Sequence, residues 1–189
     1  MSRRRLVSVV ATQLAVVACG GALSAASSAG DMISLPPPQR HFSSPSGRFV
    51  LTLSSLDQRT SSTSAELAEV SGTRRRSLWN RLLPHEQGPR GALVTDSGAV
   101  VLLDEWINVV PRHAIMLIGP DGRTLAIYSG EQLFAILNVP RKAISANARH
   151  GVWMSSEPIP SADGKTVEFR CALRGFTLRL VDGKLTVSD

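Results

Sequence analysis

Five glycine-centred turns constrain what this chain can fold into. Pro45-Ser46-Gly47-Arg48, Thr95-Asp96-Ser97-Gly98, Pro120-Asp121-Gly122-Arg123, Ala162-Asp163-Gly164-Lys165 and Val181-Asp182-Gly183-Lys184 each interrupt apolar or β-branched runs. Gly accepts a positive φ at no steric cost and Asp hydrogen-bonds the backbone just ahead of it, so such sites fold a chain back as hairpins. The flanking runs read as strands: Phe49 to Leu53, Ala92 to Thr95, Ala99 to Leu103, Ala114 to Ile118, Thr124 to Tyr128, Thr166 to Leu173, Phe176 to Leu180 and Leu185 to Val187. Several are unbroken apolar runs, the pattern of strands covered on both faces.

One region reads two ways. Ala65 to Val70 and Ser77 to Leu83 form a further hairpin around Ser71-Gly72-Thr73, or else Thr63 and Glu66 make a capping box that opens a helix. A firmer helix starts at Ser129, where Ser129 and Gln132 have the capping-box form, Leu133, Phe134 and Leu137 share a face, and Pro140 stops it. The expected class is therefore mainly β, an antiparallel meander in open sheets or a sandwich, with one short helix near 130–138. The repeated turn-strand unit, with Trp79 and Trp106 near strand ends, resembles blades of a β-propeller. It is similar to small exported bacterial proteins with about two such blades, over residues 43–129. That resemblance implies an architecture and no activity. The chain is too short for a closed propeller of four or more blades, so the blades are expected as open sheets covered by the helix or by a partner chain.

The amino terminus has the layout of an export leader. Arg3, Arg4 and Arg5 precede an apolar run from Leu6 to Ala18, within the roughly 7–15 residues of a signal core and short of the ~20 that span a bilayer. Val16-Val17-Ala18-Cys19 resembles the lipobox of bacterial lipoproteins, which implies a diacylglyceryl group on Cys19 and attachment at a membrane face. Ordinary cleavage near 24–29, at Ala22-Leu23-Ser24 or Ser27-Ser28-Ala29, is the alternative. Ser2 to Val7 also resembles a twin-arginine export motif. Residues 20–40, rich in Ala, Ser and Gly and then Pro36-Pro37-Pro38, read as a tether. Residues 41–189 read as a single β-rich domain in the cell envelope, lipid-anchored or periplasmic, or otherwise secreted.

Removing Arg3, Arg4 and Arg5 halves the net charge of +6, so the basicity is largely an export feature and argues against a nucleic-acid partner. Of the two cysteines, Cys19 is removed or lipidated on either cleavage route. That leaves Cys171, which alternation places with Val167, Phe169 and Leu173 as a buried thiol.

Chemistry-bearing residues are few. Asp104-Glu105-Trp106-Ile107-Asn108 follows an apolar strand, and its carboxylates either bind a cation or sugar, or face solvent while Trp106 packs on the core. His85-Glu86 and His113 are the nearest candidates for a base or ligand, and His41 and His150 lie apart from them in the chain. No Gly-x-Ser-x-Gly elbow, phosphate-cradling loop or His-Glu-x-x-His helix occurs. Arg74, Arg75 and Arg76 are expected in an exposed turn, with a contact to anionic lipid or an acidic polymer as the functional reading. The sequence thus favours a non-enzymatic binding or structural module of the envelope. Its partner would be an unidentified envelope protein or polymer, with contact surface Arg74 to Arg76 and Asp104 to Trp106 and without cofactor or metal. The alternatives are an exported hydrolase using Asp104 or Glu105 with a histidine, and a module that completes its sheet by oligomerising.

Overall fold

The computed structural model describes residues 35–57, 62–107 and 109–188. The leader, Cys19, the expected cleavage sites, most of the expected tether and Asn108 lie outside them. Residues Ile33–Asp189 form one compact unit.

The described residues hold three four-stranded antiparallel meanders in chain order. The first comprises β1 (Gln39–Ser43), β2 (Phe49–Asp57), β3 (Ser62–Ser71) and β4 (Arg74–Leu82). The second comprises β5 (Pro89–Val94), β6 (Val100–Glu105), β7 (Ile115–Ile118) and β8 (Thr124–Tyr128). Two helices follow, α1 (Gly130–Leu137) and α2 (Arg141–Asn147), and the third meander is β9 (Ile159–Pro160), β10 (Thr166–Cys171), β11 (Arg174–Arg179) and β12 (Leu185–Ser188). All five turn glycines have positive φ. At Gly98 the turn closes through Thr95 N–H to Ala99 O and Gly98 N–H to Thr95 O, both 3.0 Å.

The unbroken apolar runs have the expected cause. Val101, Leu103, Ile115 and Leu117 point into one core with Phe169, Phe176 and Leu178 of the third sheet. The alternate residues Val100, Leu102, Met116 and Ile118 point into another with Leu51, Leu53, Leu67 and Trp79 of the first. The second sheet is therefore the middle of three layers, and side chains of period two fill both its faces. The outward faces are polar: His41, Thr52 and Glu66 align across the first sheet, and Glu168, Thr177 and Thr186 across the third. Burying either face would strand these groups without water, so the stack ends at three layers.

α1 is capped as expected, with the Ser129 hydroxyl accepting from Gln132 N–H and the Gln132 side chain accepting from Ser129 N–H. It buries Leu133, Phe134 and Leu137 between the second and third sheets. α2 was not legible, since its short span buries only Ile144. After it, Trp153 is fully buried, its ring centroid 5.8 Å from Phe176 and 6.1 Å from Phe169.

Four expectations are corrected. The Thr63–Glu66 capping box does not form, because Ser62–Ser71 pairs along its length with β2 and β4. Arg74 to Arg76 lie in edge strand β4 beyond the turn, since Ser71 already pairs with Arg74. Leu173 is 92% exposed: Cys171 pairs with Arg174, so Ala172 and Leu173 are the turn itself. The tether ends before residue 40, as Pro36 is buried and Gln39 and Arg40 belong to β1.

Candidate functional site

β1, β5 and β9, the first strands of the three meanders, line one groove of about 840 Å³. His41 and Ser43 come from β1, Gly91 to Val94 from β5, and Glu157 and Pro160 from the approach to and end of β9. The loop after α2 adds Arg149, His150 and Met154.

Hydrogen bonding fixes which backbone groups look into it. In an antiparallel ladder alternate residues turn their N–H and C=O toward the partner strand. The Thr95–Ala99 bond makes Leu93 and Gly91 inward toward β6, leaving the backbone of Arg90, Ala92 and Val94 outward. At the start of the strand Arg40 Nη1 donates to Arg90 O at 3.0 Å. On β1, the bonds Ser44 N–H to Phe49 O and Ser55 N–H to Pro38 O turn the even-numbered residues to β2 and leave His41 and Ser43 outward.

Arg40 closes one end. Its Nη2 donates to Pro89 O at 2.6 Å, and its guanidinium carbon lies 5.0 Å from the Trp106 ring centroid. A planar fork can bond two carbonyls and stack on an indole at once. Trp106 thus takes part as the surface on which this latch rests.

The acidic pair sits behind the groove wall rather than in it. Asp104 and Glu105 are 1% and 6% exposed, correcting the expectation that they face solvent. Asp104 adopts a left-handed φ of 58°, a region where Asp and Asn are the enriched non-glycine residues. Its Oδ1 accepts from Glu105 N–H at 3.0 Å and its Oδ2 from Val152 N–H at 3.4 Å, with Oδ2 filling the space where Gly151 lacks a Cβ. Burial pushes its pKa up to about 6, against the pull of those backbone donors. Glu105 turns the other way and accepts from His113 Nδ1 at 2.8 Å and from His113 N–H at 3.2 Å. The His113 ring lies 5.0 Å from that of His85, which is 2% exposed with neither ring nitrogen hydrogen-bonded. Burial, then the neighbouring His113, lowers the His85 pKa to about 3.

The structure thus brings Glu105, His113 and His85 together, which scattered sequence positions did not show. A carboxylate on a histidine is the geometry that orients a general base. None of the three lines the groove. Nor do three His, Cys, Asp or Glu side chains among those residues converge to hold a metal ion.

The arginine run is largely engaged within its own sheet. Arg75 bonds Thr52 and Glu66, Arg76 and Arg48 both reach Glu69, and Arg74 is exposed. Charged side chains on an edge strand discourage pairing with another chain. Cys171 is fully buried and free, and burial raises its pKa to about 11, which leaves the thiol protonated and unreactive.

Fold and groove define a three-layer, mainly β protein built from four-stranded antiparallel meanders, open along the line where their first strands meet. No protein-family model and no curated protein matches the chain. No helix among the described residues is long and apolar enough to cross a membrane.

Proposed function

We propose that the chain is an exported, non-enzymatic binding module of the cell envelope and that its ligand occupies the groove between β1, β5 and β9. The observation that carries the reading is the convergence there of three strands' first edges, with outward backbone groups and cationic side chains around an apolar floor. Concave surfaces with a few directed polar groups are the usual ligand sites. The leader-like amino terminus and the lipobox-like stretch ending at Cys19 support an envelope location, and the propeller-blade likeness of the meanders belongs to the same proposal. Arg74 to Arg76 are assigned to protecting the β4 edge, and Asp104 to Trp106 to shaping the groove wall.

Selection from a random-peptide display library tests the groove. Peptides enriched on the wild type are expected to lose binding to His41→Glu and Arg149→Glu, whose side chains are exposed, and to keep binding Arg75→Gln. Ligands indifferent to the groove variants, or a library that yields none, would contradict it. The export part is tested by the mass of the native amino terminus, expected to begin at a diacylglyceryl-modified Cys19.

The hydrolase reading has one observation in its favour, the Glu105–His113 contact. It requires that Glu105→Gln abolish a hydrolytic activity of the folded protein, and an unchanged rate would remove it.

A further inference from the structure

We infer that the groove takes an acidic peptide in extended conformation, added as a strand to the free edge of β5; this deepens, and rests on, the groove reading above. Three observations carry it. First, the outward N–H and C=O of Ala92, which is only half-buried, face the groove, and the described residues supply them no hydrogen-bond partner. Strand addition satisfies such groups, with main-chain bonds giving affinity and alternate side chains giving selectivity. Arg40 occupies Arg90 O and Val94 is buried, so the open stretch is Gly91 to Leu93, about 10 Å at ~3.3 Å per residue, with room for roughly three paired residues of peptide.

Second, the floor of the groove is apolar where a strand's inward side chains would rest, at Leu93, Leu103 and Met154. Third, the fixed charge leans positive: Arg90 and Arg149 line the groove against a single carboxylate, Glu157. The same charges disfavour a second copy of this chain, whose β4 edge carries Arg74, Arg75 and Arg76. An acidic extended segment matches both the backbone edge and the field around it.

The test uses a fluorescent, end-blocked octapeptide alternating Glu and Val, its Lys and Val counterpart, and a copy with alternate amides N-methylated. Binding to the full chain is read by fluorescence anisotropy. The acidic peptide is expected to bind saturably, and raising the salt concentration should weaken it. The Lys peptide and the N-methylated peptide should each bind at least tenfold more weakly. Ala92→Pro removes one outward donor without touching the β5–β6 ladder, as edge strands allow, and should also weaken binding at least tenfold. The N-methylated arm leaves the protein unaltered, so it decides the matter even if Ala92→Pro misfolds. Binding of the acidic peptide that is lost in Arg149→Glu yet indifferent to N-methylation would overturn strand addition and leave the groove reading standing. No binding of the acidic peptide, or equal binding of the Lys peptide, would overturn the acidic-strand inference. Binding of every peptide indifferent to Arg149→Glu would overturn both.

Discussion

Two buried titrating groups give this protein opposed pH dependences. His85 titrates at about 3 in the fold against an ordinary 6.5. Its contribution is therefore complete above pH 6.5 and drains as pH falls toward 3. Asp104 is raised from 3.8 to about 6, so its contribution is complete below pH 3.8 and drains as pH rises through 6. Each is worth about 3 kcal/mol at most between pH 4 and 7, from roughly 1.4 kcal/mol per unit. They offset each other in the wild type and are exposed by removing one. Relative to wild type, Asp104→Asn should gain up to about 3 kcal/mol on going from pH 4 to pH 7, and His85→Leu should lose a similar amount over the same interval. Urea midpoints at the two pH values check both, and parallel shifts of the same sign would contradict the assignment. Gly151 supplies a second residue-level test. It has a φ of 67°, and a Cβ there would fall within contact distance of Asp104 Oδ2, whereas Gly47 at a φ of 72° has nothing within 4 Å. Gly47→Ala should cost about 1–2 kcal/mol of backbone strain, and Gly151→Ala clearly more by chemical denaturation.

At the scale of elements, β1 is held to β5 by a side chain rather than by strand pairing. Arg40 bonds two carbonyls of β5 and lies over Trp106, so Arg40→Ala should cost about 2–3 kcal/mol for two charged hydrogen bonds and a cation–π contact. Arg40→Lys should recover only part of that, because one ammonium cannot reproduce the fork; thermal unfolding of the pair reads this. Strands β2, β5 to β8 and β10 to β12, together with α1, were legible from the sequence because local chemistry specifies them, whereas β1 and the two-residue β9 were not. Asp-Gly turns set the hairpins, period-two runs set β6 and β7, and the Ser129–Gln132 box starts α1. The β3–β4 hairpin was ambiguous, since Thr63 and Glu66 have cap spacing and only pairing with β2 decides against a helix. α2 and the Trp153 loop left no periodic signal, because each is held by long-range packing on the third sheet.

The groove exists only at the scale of the whole molecule. Its walls come from residues near 41, 92, 150 and 160, each ordinary in its own stretch of sequence, and it forms because three meanders stack with their first strands aligned. The same holds for Glu105, His113 and His85, which a chain read in one dimension leaves scattered. Asp104 and Glu105 drew notice as a polar pair at a strand end; the fold buries them in opposite directions, behind the wall rather than in the site. The central claim is that the β5 edge stands open to the groove. Native-state hydrogen exchange, resolved by residue along β5, tests it most directly. In the free protein the Gly91 and Leu93 amides should be protected by the ladder to β6 while that of Ala92 exchanges rapidly, and the acidic octapeptide should slow Ala92 selectively. Uniform protection across Gly91, Ala92 and Leu93 in the free protein would contradict an open edge and the binding groove built on it.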